Sequence, residues 1–161
     1  MTSISVITPS FNQGNFIRRT IESVLSQGIT DLEYIVVDGG SQDQTIEILK
    51  SYGGRLKWNS EPDGGTADAL NKGLKAANGR VIGWLNSDDV YYSGGLRVAV
   101  KFLAENPEVD VLYGDANHIL ELESDHFAGS NSNRGGMDCS CCENAPLLLI
   151  GPRPETLHNF L

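Results

Sequence analysis

The amino-acid sequence predicts an α/β protein with a mostly parallel sheet and helices on both faces. Three observations carry that reading. Short apolar runs of strand length alternate with longer stretches whose apolar residues recur at helical spacing. Glycines stand where the helical stretches stop. Polar and glycine-rich segments follow the strands, at the sheet edge where open α/β sheets bind ligands. A chain of 161 residues has room for one domain with an apolar core.

The elements follow in order. "ISVIT" (Ile4 to Thr8) is a short apolar strand. "NFIRRTIESVLSQ" puts Phe16, Ile17, Ile21, Val24 and Leu25 on one helical face, and Gly28 is placed to end that helix. "EYIVVD" is the second strand. Ser41 and Gln44 have capping-box spacing before the helix "TIEILKSY", which Gly53 and Gly54 stop. "RLKWNSE" is a weaker third strand. "TADALNKGLKAANG" carries Ala67, Leu70, Leu74 and Ala77 at helical spacing and closes on Gly79. "RVIGWLN" is the fourth strand, "LRVAVKFLAEN" a helix halted before Pro107, and "VDVLYGD" the last clear strand. The units do not repeat in sequence, which argues against a solenoid.

Residues 1–121 therefore form the predicted domain, and 122–161 an irregular tail rich in Gly, Ser, Asn and Pro. Within the tail only "APLLLI" is apolar enough to make a strand or pack on the core. Cys139, Cys141 and Cys142 crowd together. Adjacent cysteines bridge only with strain, and no fourth ligand stands at zinc-finger spacing, so they read as incidental rather than as a metal site completed by His126 or His158.

The formal net charge of −9 argues against nucleic-acid binding through a general basic field and against adhesion to an anionic membrane. No apolar run is long enough to span a bilayer, and "MTSISVITPSF" lacks the basic start of a signal peptide. A cytoplasmic location is the default expectation, with peripheral membrane contact only through an acceptor.

Five polar segments fall at one sheet edge: "TPSFN", "VDGGSQD", "EPDGGTAD", "NSDD" and "YGD". Each alone is readable as a turn or a helix cap. Asp88 and Asp89 are adjacent acids leaving an apolar strand. In an extended segment their side chains would point to opposite faces, one toward a hard divalent ion and the other toward a ribose hydroxyl. Magnesium and manganese are commonly held by one or two carboxylates plus substrate phosphates. Such a cation would let an acidic chain accept a diphosphate.

With these residues assembled, the chain resembles the family 2 glycosyltransferases of the GT-A, Rossmann-like fold. The resemblance covers roughly residues 4–120 and rests on "TPSFN", "LSQ", "VDGGSQDQT", "EPDGGTADALNKG", "ANG" and "WLNSDD" in that order. It implies metal-dependent, inverting transfer of a sugar from a nucleoside-diphosphate sugar to the hydroxyl of a saccharide or glycolipid acceptor. It places Thr8, Pro9, Phe11, Asn12 and Asp38 at the nucleotide base, with Asp63 and Asn86 in the nucleotide-sugar site. Asp88 falls on the ribose side, and Asp89 holds Mg2+ or Mn2+ as the last acid of a DXD-type motif. Asn86 stands where that motif often has Asp, and Gly39 where many relatives have a second acid after Asp38. The family's general base lies downstream, and no segment here matches its motif. Asp115, Asp125 and Asp138 are the acids available, and truncation or alteration after about residue 122 is the expectation. The alternative class is a non-catalytic nucleotide-sugar-binding module. A nucleotidyltransferase would need a basic phosphate loop after the first strand, and a dehydrogenase a G-x-G-x-x-G there.

Overall fold

A computed structural model of the chain describes residues 3–114 and 148–150. The elements are β1 (Ile4–Ser10), α1 (Ile17–Leu25), β2 (Leu32–Asp38), α2 (Thr45–Ser51), a 3-10 turn (Gly53–Arg55), β3 (Lys57–Ser60), α3 (Thr66–Ala76), β4 (Val81–Trp84), α4 (Gly95–Glu105), β5 (Val111–Leu112) and β6 (Leu148–Ile150). The strand order is β3-β2-β1-β4-β6-β5. β1 pairs in parallel with β2 and β4, and β2 with β3. β6 runs antiparallel between β4 and β5. The mostly parallel α/β sheet predicted from the sequence is thus present.

Side chains of the two central strands alternate between two apolar layers, as the period of a strand requires. Ile4, Val6, Tyr34 and Val36 pack with Ile17, Ile21 and Val24 of α1, Leu49 of α2, and Leu96 and Leu103 of α4. Ile7, Ile35 and Val37 face the other way, onto Ala69 and Leu70 of α3. Helices therefore cover both faces. Gly73 sets how closely α3 lies on β1: a Cβ there would stand 2.4 Å from Ile7 Cγ2.

One expectation changes. The Ser41–Gln44 capping box does not form. Gln44 is the N-cap residue of α2 and makes no side-chain cap hydrogen bond. Ser41 Oγ instead donates to Asp38 Oδ1 at 2.5 Å and accepts the Asn12 N–H at 2.7 Å. A buried carboxylate outbids an exposed helix end for a short hydroxyl. Leu148–Ile150, from the apolar "APLLLI" that the sequence marked as able to make a strand, enters the sheet as β6. Asp115, Asp125, Asp138, the three cysteines, His126 and His158 lie outside the described residues.

At the amino-terminal edge of the sheet, Glu33 ties three segments together. Its carboxylate accepts Lys57 Nζ at 2.6 Å, Asn78 N–H at 2.8 Å, Asn78 Nδ2 at 3.0 Å and the Ser5 hydroxyl. Ser5 Oγ in turn accepts the Gly79 N–H at 2.8 Å. Burial by itself would raise the Glu33 pKa, but the hydrogen bonds from Lys57, Ser5 and Asn78 overturn that and hold it at about 2.

Candidate active site

A cleft of about 640 Å3 opens at the carboxyl-terminal ends of the parallel strands. Pro9, Ser10 and Phe11 line it from the end of β1 and the turn beyond, with Gly39 after β2. Pro62 and Asp63 follow β3, and Gly65, Thr66 and Ala69 belong to the start of α3. Asn86, Ser87 and Asp88 close it after β4. Thr66 and Ala69 are one helical turn apart and so share a face.

Hydrogen bonds lock the turn after β1 to the turn after β2. Asn12 takes the left-handed conformation, φ 53°, which Asn tolerates better than most residues. Its side-chain Oδ1 accepts Gln42 N–H at 2.9 Å. Gln13 N–H donates to Thr45 Oγ1 at 2.9 Å, and Gly14 N–H to Asp43 Oδ2 at 2.8 Å. Asp43 Oδ1 accepts the Thr45 N–H at 2.9 Å. What desolvation Asp43 suffers raises its pKa, yet its bonds to Thr45 and Gly14 hold the carboxyl below the ordinary range. This lock leaves the Phe11 ring 59% exposed, on the cleft wall.

Asp38 is fully buried beneath that wall. Its Oδ2 accepts Gly40 N–H at 3.1 Å, Ser41 N–H at 2.8 Å and Ser60 Oγ at 2.7 Å, besides the Ser41 hydroxyl on Oδ1. Thr8 is buried as well, its Oγ1 3.1 Å from the Tyr34 hydroxyl. Both residues fall on the strand face that packs against α1 and α2. Neither lines the cleft, and each shapes it from behind.

The acids after β4 sit in a turn, closed by Asp89 N–H donating to Asn86 O at 3.2 Å. They therefore leave β4 in a turn and not as an extended continuation of the strand. Asp88 is exposed and lines the cleft. Asp89 is half-buried, its Oδ2 3.2 Å from Asn86 Nδ2. Asn86 Oδ1 accepts Trp84 Nε1–H at 3.0 Å, which fixes the amide with its NH2 toward Asp89. Among the described residues no three His, Cys, Asp or Glu side chains cluster as a ready-made metal cage. Asp88 on the cleft lining and Asp89 next to it are the donor type that Mg2+ or Mn2+ take, drawing their remaining ligands from phosphate and water.

On the far side of the cleft Gly65, φ 99°, is the N-cap residue of α3 and has no side chain to cap with. Acids hold the turn instead. Asp63 Oδ1 accepts Gly65 N–H at 2.8 Å, and Asp68 Oδ2 accepts Gly64 N–H at 3.1 Å. The positive end of an 11-residue helix meets the cleft here.

Of the residues singled out from sequence, Pro9, Phe11, Asp63, Asn86 and Asp88 share the cleft wall. Asn12 follows Phe11 in the turn beside the cleft, and Asp89 adjoins it through the hydrogen bond from Asn86. Gly39, noted in sequence as standing where relatives carry an acid, lines it too, whereas sequence reasoning did not single out Ser10, Gln13, Pro62, Gly65, Thr66, Ala69 or Ser87. Most of them lie in or next to the segments "TPSFN", "EPDGGTAD" and "NSDD" already read as the polar edge.

Residues 5–133 match the family model described as glycosyl transferase family 2. An uncharacterized glycosyltransferase of Rickettsia prowazekii is 37% identical over 121 residues, 75% of this chain and 38% of that protein. The chondroitin synthase of Pasteurella multocida is 34% identical over 113 residues, 68% of this chain and 12% of that protein. Among solved structures, S. aureus TarS 1-349 in complex with UDP-GlcNAc aligns with a TM-score of 0.63 and 32% identity, over 68% of this chain and 33% of that one. The mannosyltransferase PcManGT from Pyrobaculum calidifontis, in complex with GDP-Man and Mn2+, aligns with a TM-score of 0.63 and 28% identity, over 68% and 34%. This chain thus spans well under half the length of these relatives. No helix among the described residues is long and apolar enough to cross a membrane. By its strand order, by the placement of its polar motifs and by these matches, the chain belongs to glycosyl transferase family 2.

Proposed function

We propose that this chain binds a nucleoside-diphosphate sugar in the cleft, as the donor site of an inverting, metal-dependent sugar transfer to an acceptor hydroxyl. The observation that carries the reading is that one cleft is lined both by the exposed Phe11 with Pro9 and by Asp88 of the turn after β4. A flat aromatic surface suits a base, and Asp88 suits the ribose hydroxyls. Asp89 is the carboxylate for a Mg2+ or Mn2+ ion, whose charge offsets that of the diphosphate leaving group. The first turn of α3 adds a favourable field for the same anion. TarS with UDP-GlcNAc and PcManGT with GDP-Man and Mn2+ support the ligand class. Inversion needs a base to take the acceptor proton as its oxygen attacks the anomeric carbon. None of the described residues is assigned that role, so donor binding, and not transfer, is the property proposed for this chain by itself.

Calorimetry with UDP and GDP, with and without manganese, tests the reading. Wild type binds at least one of them, and manganese tightens it. Asp89→Ala removes the manganese effect and weakens binding by about tenfold or more, since the diphosphate loses its counter-charge. Asp88→Ala weakens nucleotide binding and keeps the manganese effect. Binding indifferent to manganese in all three proteins would remove the metal from the proposal. No binding of either nucleotide would remove the donor site.

A further inference from the structure

We infer that Asp63 is the group that selects the nucleotide base, and that Gly39 makes room for it. The inference rests on the cleft being a nucleotide site. A Cβ built on Gly39 would lie 3.2 Å from both Asp63 carboxylate oxygens. Any side chain at residue 39 would therefore contest the space the Asp63 carboxylate fills. The two residues line the same cleft as Pro9 and Phe11.

What this corner offers a ligand follows from its hydrogen bonds. The Gly39 N–H donates to Ser10 O at 2.8 Å, and the N–H groups of Gly40 and Ser41 both donate to Asp38. The backbone donors of the turn are thus spent inward. Asp63 Oδ1 is steadied by the Gly65 N–H at 2.8 Å, while Oδ2 has no hydrogen bond from the described residues. Asp63 thus presents a steadied carboxylate acceptor to the cleft. A carboxylate gains most from an acidic N–H and loses when it faces a lone pair. The ring N–H beside a carbonyl in uracil, thymine and guanine is the most acidic N–H a base carries. Cytosine and adenine present a ring-nitrogen lone pair at the equivalent position. Asp63 accordingly favours the first group.

The test is the binding of UDP, GDP, CDP and ADP, with manganese present, to wild type, Asp63→Asn and Gly39→Ala. Wild type should bind UDP or GDP about 10- to 100-fold more tightly than CDP and ADP, the range for one hydrogen bond to a charged group. Asp63→Asn keeps the shape and an oxygen for the Gly65 N–H, yet it should lose most of that preference. Gly39→Ala leaves the acid in place but crowds it, and should erode the preference in the same direction. Wild type that binds all four equally, or prefers CDP or ADP, overturns the inference while leaving a nucleotide site standing. A preference that survives Asp63→Asn unchanged overturns it too. Failure of every protein to bind any of the four overturns the nucleotide site, and the inference with it.

Discussion

Replacing Glu33 by Gln should cost stability at neutral pH and flatten the acid limb of the stability curve. The carboxylate is 17% exposed and holds β1, β2, β3 and the turn before β4 together through Ser5, Lys57, Asn78 and, by way of Ser5, Gly79. Folding takes its pKa from 4.5 down to about 2. At about 1.4 kcal/mol per pH unit, that difference corresponds to roughly 3 kcal/mol favouring the folded, ionised form. Lys57 is 65% exposed, so water screens the pair, and about 1–2 kcal/mol is the working figure. The folded pKa lies below the unfolded one. The contribution is therefore complete above about pH 4.5 and is lost as pH falls toward 2. Urea unfolding of wild type and Glu33→Gln at a series of pH values reads this directly. The gap between the two should be about 1–2 kcal/mol at pH 7 and should close toward pH 2. Nucleotide binding, at the opposite edge of the sheet, should not change. A gap that stays constant with pH would show that Glu33 acts through packing, and the electrostatic account would fail.

Two further outcomes follow from close contacts. Gly73→Ala puts a methyl 2.4 Å from Ile7 Cγ2, and α3 must lift from β1, which should cost about 1–3 kcal/mol in urea or thermal unfolding. A neutral or stabilised variant would show that the helix moves freely. Asn86→Asp replaces the NH2 that donates to Asp89 at 3.2 Å with a second negative oxygen. The variant should be less stable than wild type in chelator and should regain stability as manganese is added; a melting temperature indifferent to manganese would refute that.

The alternation of strands and helices was legible because each carries its own period. The even positions Ile4, Val6, Tyr34 and Val36 of β1 and β2 face α1, α2 and α4, and the odd positions Ile7, Ile35 and Val37 face α3. The same parity, extended two residues, puts Thr8 and Asp38 on the strand face toward α1 and α2. Ser41 was misread because its spacing from Gln44 is local, while the carboxylate that captures it is buried by a strand pairing no local pattern announces. Asp63 was recognised as a candidate, but its bearing on Gly39 came only with the third dimension, since 24 residues of chain separate them. The position of β6 between β4 and β5 was illegible for the same reason.

That position also orders assembly in time. A chain emerging amino-terminus first can bring β1, β2, β3 and β4 together through crossovers already made. β5 comes next, yet its described pairing is with β6 alone. Until residues 148–150 arrive, β5 has no neighbour among the described strands, and β4 keeps one side open to them. The described strand that comes latest in sequence fills the gap between two earlier ones, a long-range closure of the kind that slows folding. The cleft's β1, β2 and β3 ends belong to the part that can form first, so a nascent chain could acquire the Phe11 and Asp63 wall before its sheet is finished.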